Sequence, residues 1–291
     1  MTAVERRSVV GILVGVTIGA AMAVAGSQHG VTAAGWPVFA LCAALSFAIN
    51  WLVYVPSFLQ QTEHYFDLTG SLTFITVVVT ALVLSGATDA RALLLALLVV
   101  VWAGRLGSFL FARIRRDGRD GRFDALKPNP LRFLLTWTLQ GLWVLITVAP
   151  ALAAMTSLQP RPLDPFAAIG LAAWAFGIAI EVVADRQKRA FRRDPANRGR
   201  FIATGLWAWS RHPNYFGEIT LWTGVALLAA PVLSGWQHVT LVSPLFVYLL
   251  LTQVSGIPLL EARAEERWGS DPAYRAYRDR TPPLVPRPPR A

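Results

Sequence analysis

The sequence predicts an all-α fold, a polytopic membrane bundle of about eight transmembrane helices with no Rossmann domain, on three observations. Only 15% of the residues are charged while 54% are hydrophobic, against roughly 25% charged in an average soluble domain, which leaves too little polar material to coat a soluble surface. Stretches of about 20 apolar residues, the length a helix needs to cross a hydrocarbon core, recur along almost the whole chain. The basic residues crowd into alternate connections, as the positive-inside bias of membrane proteins requires.

The first span, about Val9–Gly26, follows Glu5-Arg6-Arg7 and ends in Ala23-Val24-Ala25, the outline of a secretory signal. Its apolar run is longer than a usual signal core, so a retained helix is favoured; cleavage would leave seven spans and the same faces. The second span, about Trp36–Phe58, holds the single cysteine, Cys42, which allows neither an internal disulfide nor a thiolate metal cluster. The third, about Leu72–Ser85, is short. Spans near Ala92–Phe111, Phe133–Met155, Phe166–Ala184, Tyr215–Leu233 and Val239–Pro258 complete the set.

With the N-terminus inside, the inner segments Met1–Ser8, Leu59–Ser71, Ala112–Arg132, Asp185–Asn214 and Leu259–Ala291 carry 2, 0, 7, 8 and 7 Lys or Arg. The outer loops carry only Arg91 and Arg161, and Arg105 falls inside the fourth span. The net charge of +10 therefore reports topology. Nucleic-acid binding is disfavoured, because the cations adjoin spans and form no soluble basic domain. The Pro-Arg tail Thr281–Arg290 is expected to be extended and partly disordered.

Three stretches go beyond a generic membrane protein, since polar groups in hydrocarbon need partners or a function. Glu181 and Asp185 are four apart near the inner end of the sixth span and share a face, which Arg189 and Arg192 continue. This is either a structural ion-pair network or a site whose carboxylates accept from ligand hydroxyls while the arginines hold phosphates. The run Gly205-Leu-Trp-Ala-Trp-Ser-Arg-His-Pro-Asn-Tyr-Phe-Gly-Glu218 precedes the seventh span. An interfacial aromatic anchor with a capped helix start accounts for its Trp and Pro. It does not account for Arg211, His212, Asn214 and Glu218 crowding one helix start that already favours anions. The third stretch, Glu261 to Gly269 followed by Tyr274 and Tyr277, reads as two short charged helices, which by themselves fit a solvated amphipathic tail better than a site.

Together these stretches resemble the C-terminal half of the steroid 5-alpha-reductase-like membrane enzymes, in their bacterial branch of unassigned substrate. The resemblance spans roughly Arg105 to Pro286 and includes Arg113-Ile-Arg-Arg-Asp-Gly-Arg-Asp-Gly-Arg-Phe-Asp124 and Gln140-Gly141. It implies N-terminal helices on the substrate side (1–104), a reductase-like cofactor-binding helical domain (105–286) and a tail (287–291). It also implies a bacterial inner-membrane enzyme, both termini cytoplasmic, that binds NADPH from that side and reduces an activated carbon–carbon double bond of a steroid or other lipid entering from the bilayer. By this resemblance Asp185, Arg189 and Arg192 meet the cofactor's polar groups. Asn214 and Glu218 meet its nicotinamide or ribose end, with Arg211, His212 and Tyr215 beside them. Tyr277 with Arg267, or Arg263 in its place, meets the phosphates. No Gly-x-Gly-x-x-Gly unit is visible, so side-chain cations would do the binding.

Hydride addition to an enone builds negative charge on the carbonyl oxygen, which calls for a protonated acid or phenol. The resemblance implies a Glu/Tyr pair from earlier helices, and the polar cluster Gln60–Asp67 nominates Glu63 and Tyr65, with Gln140, Arg105 and Tyr54 next. No metal site is expected. Two other classes compete. S-adenosylmethionine-dependent methyltransferases of the isoprenylcysteine and phospholipid type share an Arg-His-Pro-x-Tyr run and a Glu-Glu…Tyr…Tyr…Pro tail. A non-enzymatic scaffold or transporter would spread its polar residues through mid-depth.

Overall fold

The computed structural model describes residues 1–118 and 120–289, with the backbone alone at residues 113, 116, 117 and 122. Its helices are α1 (Ala3–Gly26), α2 (Val38–Leu59), α3 (Phe66–Ser85), α4 (Ala90–Asp117), α5 (Pro130–Met155), α6 (Pro165–Arg193), α7 (Pro213–Ala229), α8 (Ser243–Leu249), α9 (Ile257–Trp268) and α10 (Pro272–Arg280). Two-residue strands, β1 (Thr32–Ala33) and β2 (Trp36–Pro37), pair antiparallel before α2. Among the described residues eight segments are long and apolar enough to cross a membrane, and the protein is an integral membrane helical bundle.

Several boundaries differ from the sequence reading. The third span starts at Phe66, six residues before Leu72 (72 − 66), with Asp67 in the first turn where the helix dipole favours an acid. The start of α4 is fixed by Asp89, whose carboxylate accepts from the backbone N–H of Arg91 and Ala92, both at 3.1 Å. The sixth span does not end at Ala184 but continues to Arg193, so the expected inner loop begins as helix. Positions 181, 185, 188 and 192 then share one face. The eighth segment, Gly235–Trp268, is not one regular helix. A 3₁₀ stretch (Gly235–Val242) leads into α8, then a π turn (Leu250–Val254), then α9. The π turn closes with the Ser255 N–H donating to the Leu250 carbonyl at 2.9 Å.

Packing divides the chain into two compact units, Met1–Ala168 with Val225–Ser243 and Ile169–Gly224 with Pro244–Ala291. In the first, α5 is the axis, with 83% of its apolar window buried. Close approach at Gly141 brings α5 against the α2 backbone, where a Cβ would stand 3.1 Å from the Ser46 carbonyl. Gln140 donates to Asn50 Oδ1 and to the Phe66 carbonyl, both at 2.9 Å, and Asn50 donates to the Ser46 carbonyl at 2.8 Å. Such bonds satisfy polar groups that lipid cannot. Arg91, 2% exposed, donates to the carbonyls of Leu228 (2.5 Å) and Pro162 (2.7 Å) and pairs with Asp164 at 3.1 Å.

In the second unit α6 and α7 cross through glycines. A Cβ on Gly177 would meet the Gly217 carbonyl at 2.5 Å, and one on Gly217 would meet Glu181 N at 2.9 Å. Gly224 meets the Gly170 backbone in the same way. Beyond α10 the described residues to Pro289 form no helix or strand and contain bends, and the segment is fastened. Arg211 N–H donates to the Pro282 carbonyl (2.9 Å), Ser210 Oγ to the Leu284 carbonyl (2.8 Å) and Arg287 N–H to the Trp209 carbonyl (2.9 Å). Of the expected tail 287–291, Arg290 and Ala291 lie outside the described residues.

Candidate functional site

The second unit contains a cavity of about 300 Å³ built from the charged end of α6, the segment 200–212, α9 and α10. Its wall starts from Trp207, 3% exposed, whose indole N–H donates to the Ala184 carbonyl at 3.0 Å. Lys188 Nζ lies 4.3 Å from the Trp207 ring centroid, a cation–π contact that holds the ammonium at the cavity. Tyr277 donates its phenol to the Trp207 carbonyl at 2.7 Å, tying α10 to the same turn. That turn needs Gly205, which has φ +61° and stands so close to Gln187 that a Cβ would lie 2.6 Å from its amide. A second wall is aromatic: Phe201 packs on Tyr274, Tyr277 and Trp268 with centroids 5.3, 5.4 and 6.0 Å away. The cationic side chains at the cavity are Lys188, Arg192, Arg200, Arg211, Arg263 and Arg267, and the only acidic one among the described residues is Glu261.

Glu261 joins α9 to the turn before α7. One oxygen receives Arg211 Nη1 at 2.7 Å and the other meets His212 Nε2 at 2.7 Å. A carboxylate only accepts, so Nε2 carries the imidazole proton and Nδ1 presents a lone pair. Nδ1 is buried without a hydrogen-bond partner among the described residues, and His212, 5% exposed, lines the cavity. A buried acceptor left open costs stability until something donates to it. Burial pushes the His212 pKa below its ordinary 6.5, against the upward pull of Glu261. The folded protein thus binds fewer protons here than the unfolded chain once pH falls below about 6.5, and stability is lost in that direction. The melting temperature of wild type is expected to fall between pH 6.5 and 5 more steeply than that of His212→Gln. Parallel curves for the two proteins would exclude the imidazole as the source.

The residues nominated from sequence fall into two groups. Arg192, Arg211, His212, Arg267 and Tyr277 line the cavity, and Arg263 lines it together with Arg267. Tyr277 differs from expectation in one respect, because its hydroxyl is committed to the Trp207 backbone. Asp185, Arg189, Asn214, Tyr215 and Glu218 are not part of the lining. Arg189 is exposed, since α6 continues past it and turns position 188 inward instead. Tyr215 stacks on His212, ring centroids 5.6 Å apart. Asp185 is 9% exposed and follows Glu181 by one turn; Asn214 and Glu218 are half-buried on the turns of α7 flanking Gly217. Sequence reading did not nominate Lys188, Arg200, Trp207, Glu261 or Tyr274, although the last three lie in the stretches it singled out. For Lys188 the signal was present in its spacing of four from Arg192.

In the first unit, Glu63 does not fit the expected role of proton donor. It is 4% exposed and accepts from Lys127 Nζ at 2.6 Å and the Asp120 N–H at 2.7 Å. Burial alone would raise its pKa, but the hydrogen bonds from Lys127 and Asp120 outweigh it and hold the group below the ordinary carboxylate range. It is therefore an ionised strut between the α2–α3 turn and the segment before α5. Tyr65, 50% exposed, stands at the N-terminal end of α3.

Residues 53–281, more than three quarters of the chain, match a family model described as a protein of unknown function, DUF1295. The chain belongs to the DUF1295 family. That family is associated with steroid 5-alpha-reductase-like membrane proteins. Among curated proteins, this DUF1295 member is 27% identical over 229 residues to the uncharacterized protein C594.04c of Schizosaccharomyces pombe, covering 68% of this chain and 64% of the yeast protein. It is 33% identical over 73 residues to a probable O-methyltransferase, ustE, of Ustilaginoidea virens, covering 25% of each chain. The chain thus spans less than two thirds of the length of these relatives. No solved structure matches it.

Proposed function

We propose that this DUF1295 protein is an NADPH-dependent membrane reductase acting on an activated carbon–carbon double bond of a steroid or other lipid. The observation that carries the reading is the cavity's charge: six cationic side chains against one carboxylate, around aromatic walls. NADPH carries several negative charges and two flat ring systems, and both suit such a lining. Lys188, Arg192, Arg200, Arg263 and Arg267 would neutralise its phosphates, with planar guanidinium forks matching phosphate oxygens. The faces of Phe201, Trp268 and Tyr274 would cover a ring, and His212 Nδ1 would accept from a ligand N–H or O–H. When bound, NADPH supplies the hydride. The chain's remaining task is to stabilise charge on the substrate oxygen. With Glu63 held as a carboxylate, the Tyr65 phenol is the nominee for that donor.

The 73-residue likeness to a protein named as a probable O-methyltransferase favours a second reading, in which the cofactor is S-adenosylmethionine. That molecule carries a net positive charge at neutral pH, and a cationic lining repels it. The two readings separate in one experiment on the detergent-solubilised protein. NADPH is expected to raise the melting temperature more than NADH, with S-adenosylmethionine doing little; a shift with S-adenosylmethionine alone would move the assignment to the methyltransferase. In the same protein Tyr65→Phe should keep the NADPH shift and lower turnover, because an oxyanion donor acts in the transition state. A lost shift would make Tyr65 a structural residue.

In this reading the site faces the cytoplasm across a bacterial inner membrane, a topology that the basic segments support. Reporters fused after Arg198 and Arg280 are expected to read as inside and those after Asp89 and Gln159 as outside. An inside signal at Gln159 contradicts it.

A further inference from the structure

A second cationic notch, of about 220 Å³, lies where the strap after α10 crosses the segment before α7. Its lining residues include Arg211, Arg278, Arg280 and Arg287, with Asp279 the only acidic one among the described residues. Arg278 pairs with Glu265 at 2.5 Å and Arg211 with Glu261 at 2.7 Å. Among the described residues Arg280 and Arg287 have no acidic partner. Among the described residues Arg211 Nε is buried with no hydrogen-bond partner, and only an acceptor can satisfy it. The hydrogen bonds of Arg211 to Pro282 and of Arg287 to Trp209 keep the strap in place, so the cations are gathered by backbone geometry in spite of their repulsion. Like charges held this close are stabilised when an anion sits among them.

We propose that this notch is a phosphate site separate from the nucleotide cavity, and that it takes the phosphate of an anionic phospholipid headgroup. Position favours the lipid source. Arg211 precedes by two residues the membrane-length helix that starts at Pro213, and Trp209 beside it is 43% exposed, as aromatic residues at headgroup level are. Juxtamembrane arginines attract anionic lipid in this setting. The notch shares Arg211 with the cavity, but its occupant does not depend on which cofactor the cavity binds.

The test uses the full chain in detergent, with phosphatidylglycerol, phosphatidylcholine or inorganic phosphate added at matched ionic strength. Melting temperature and the number of lipids retained in native mass spectrometry are read for wild type, Arg280→Gln, Arg287→Gln and the double variant. Phosphatidylglycerol is expected to stabilise wild type by several degrees more than phosphatidylcholine. The double variant should lose most of that difference and retain fewer phosphatidylglycerol molecules, while its melting temperature in phosphatidylcholine stays unchanged. Inorganic phosphate that reproduces the effect, with no preference between lipids, would keep the phosphate site and assign it to a free anion. Equal phosphatidylglycerol stabilisation and retention in wild type and all three variants would overturn the proposal. If the double variant melts early in phosphatidylcholine, the single variants decide by the same lipid counts. The NADPH shift, measured alongside, separates failure here from failure of the reductase reading.

Discussion

Trp207→Ala is expected to lower stability by about 3–5 kcal/mol, the range for truncating a buried large aromatic side chain, and to abolish the thermal shift that the reductase proposal expects of NADPH. Several contacts converge on this residue. Its ring holds Lys188, its N–H serves the Ala184 carbonyl, and its own carbonyl receives the Tyr277 phenol. Trp207→Phe keeps a ring for the ammonium and loses one N–H donor, at a cost of about 1 kcal/mol, so it should fold and still respond to nucleotide. Thermal melts of both variants with and without NADPH check this. A Trp207→Ala protein that melts near wild type and keeps its nucleotide response would show that the cavity wall is not built on this side chain.

Arg91→Met should be comparably damaging, by about 3 kcal/mol, the upper range for leaving a buried acceptor without its donor. The loss is of hydrogen bonds more than of charge, because the buried carbonyl of Leu228 and the part-buried carbonyl of Pro162 would be left without their donor. Asp164→Asn removes only the ionic partner, whose side chain is 31% exposed. Its cost should stay near or below about 1 kcal/mol, as for partly solvated pairs. Urea or heat titrations in one detergent compare the two variants. Equal losses would mean that charge, and not carbonyl satisfaction, dominates at the α4 start.

Hydropathy made the spans legible because lipid imposes length and composition on each helix separately. What it could not convey was where a helix continues after leaving the apolar layer. Residues 185–193 are charged and read as loop, yet they are the last turns of α6 and turn Lys188 and Arg192 toward the cavity. Arg189 follows Asp185 by four residues and so reads as the next position on its face, whereas over three turns the 3.6-residue period selects 181, 185, 188 and 192. The motif around Arg211 and His212 was visible as an improbable crowding of polar side chains. Its partner Glu261 was not, because a contact 49 residues away in sequence leaves no spacing to read. Glu63 was nominated by elimination within a polar cluster, and Lys127, which fixes it as a carboxylate, lies 64 residues on.

The π turn at Leu250–Val254 makes chain length itself a determinant of the chemistry. Each residue of an α-helix advances the azimuth by about 100°, so removing one residue from that turn, with the rest keeping its twist, would swing α9 through roughly a quarter of a revolution. Glu261 would leave Arg211 and His212, and Arg263 and Arg267 would change the direction of their charge, with every side chain of the site still encoded. A single-codon deletion some ten residues from the cavity (261 − 250 = 11 at most) would thus rewire it as thoroughly as a set of substitutions inside it.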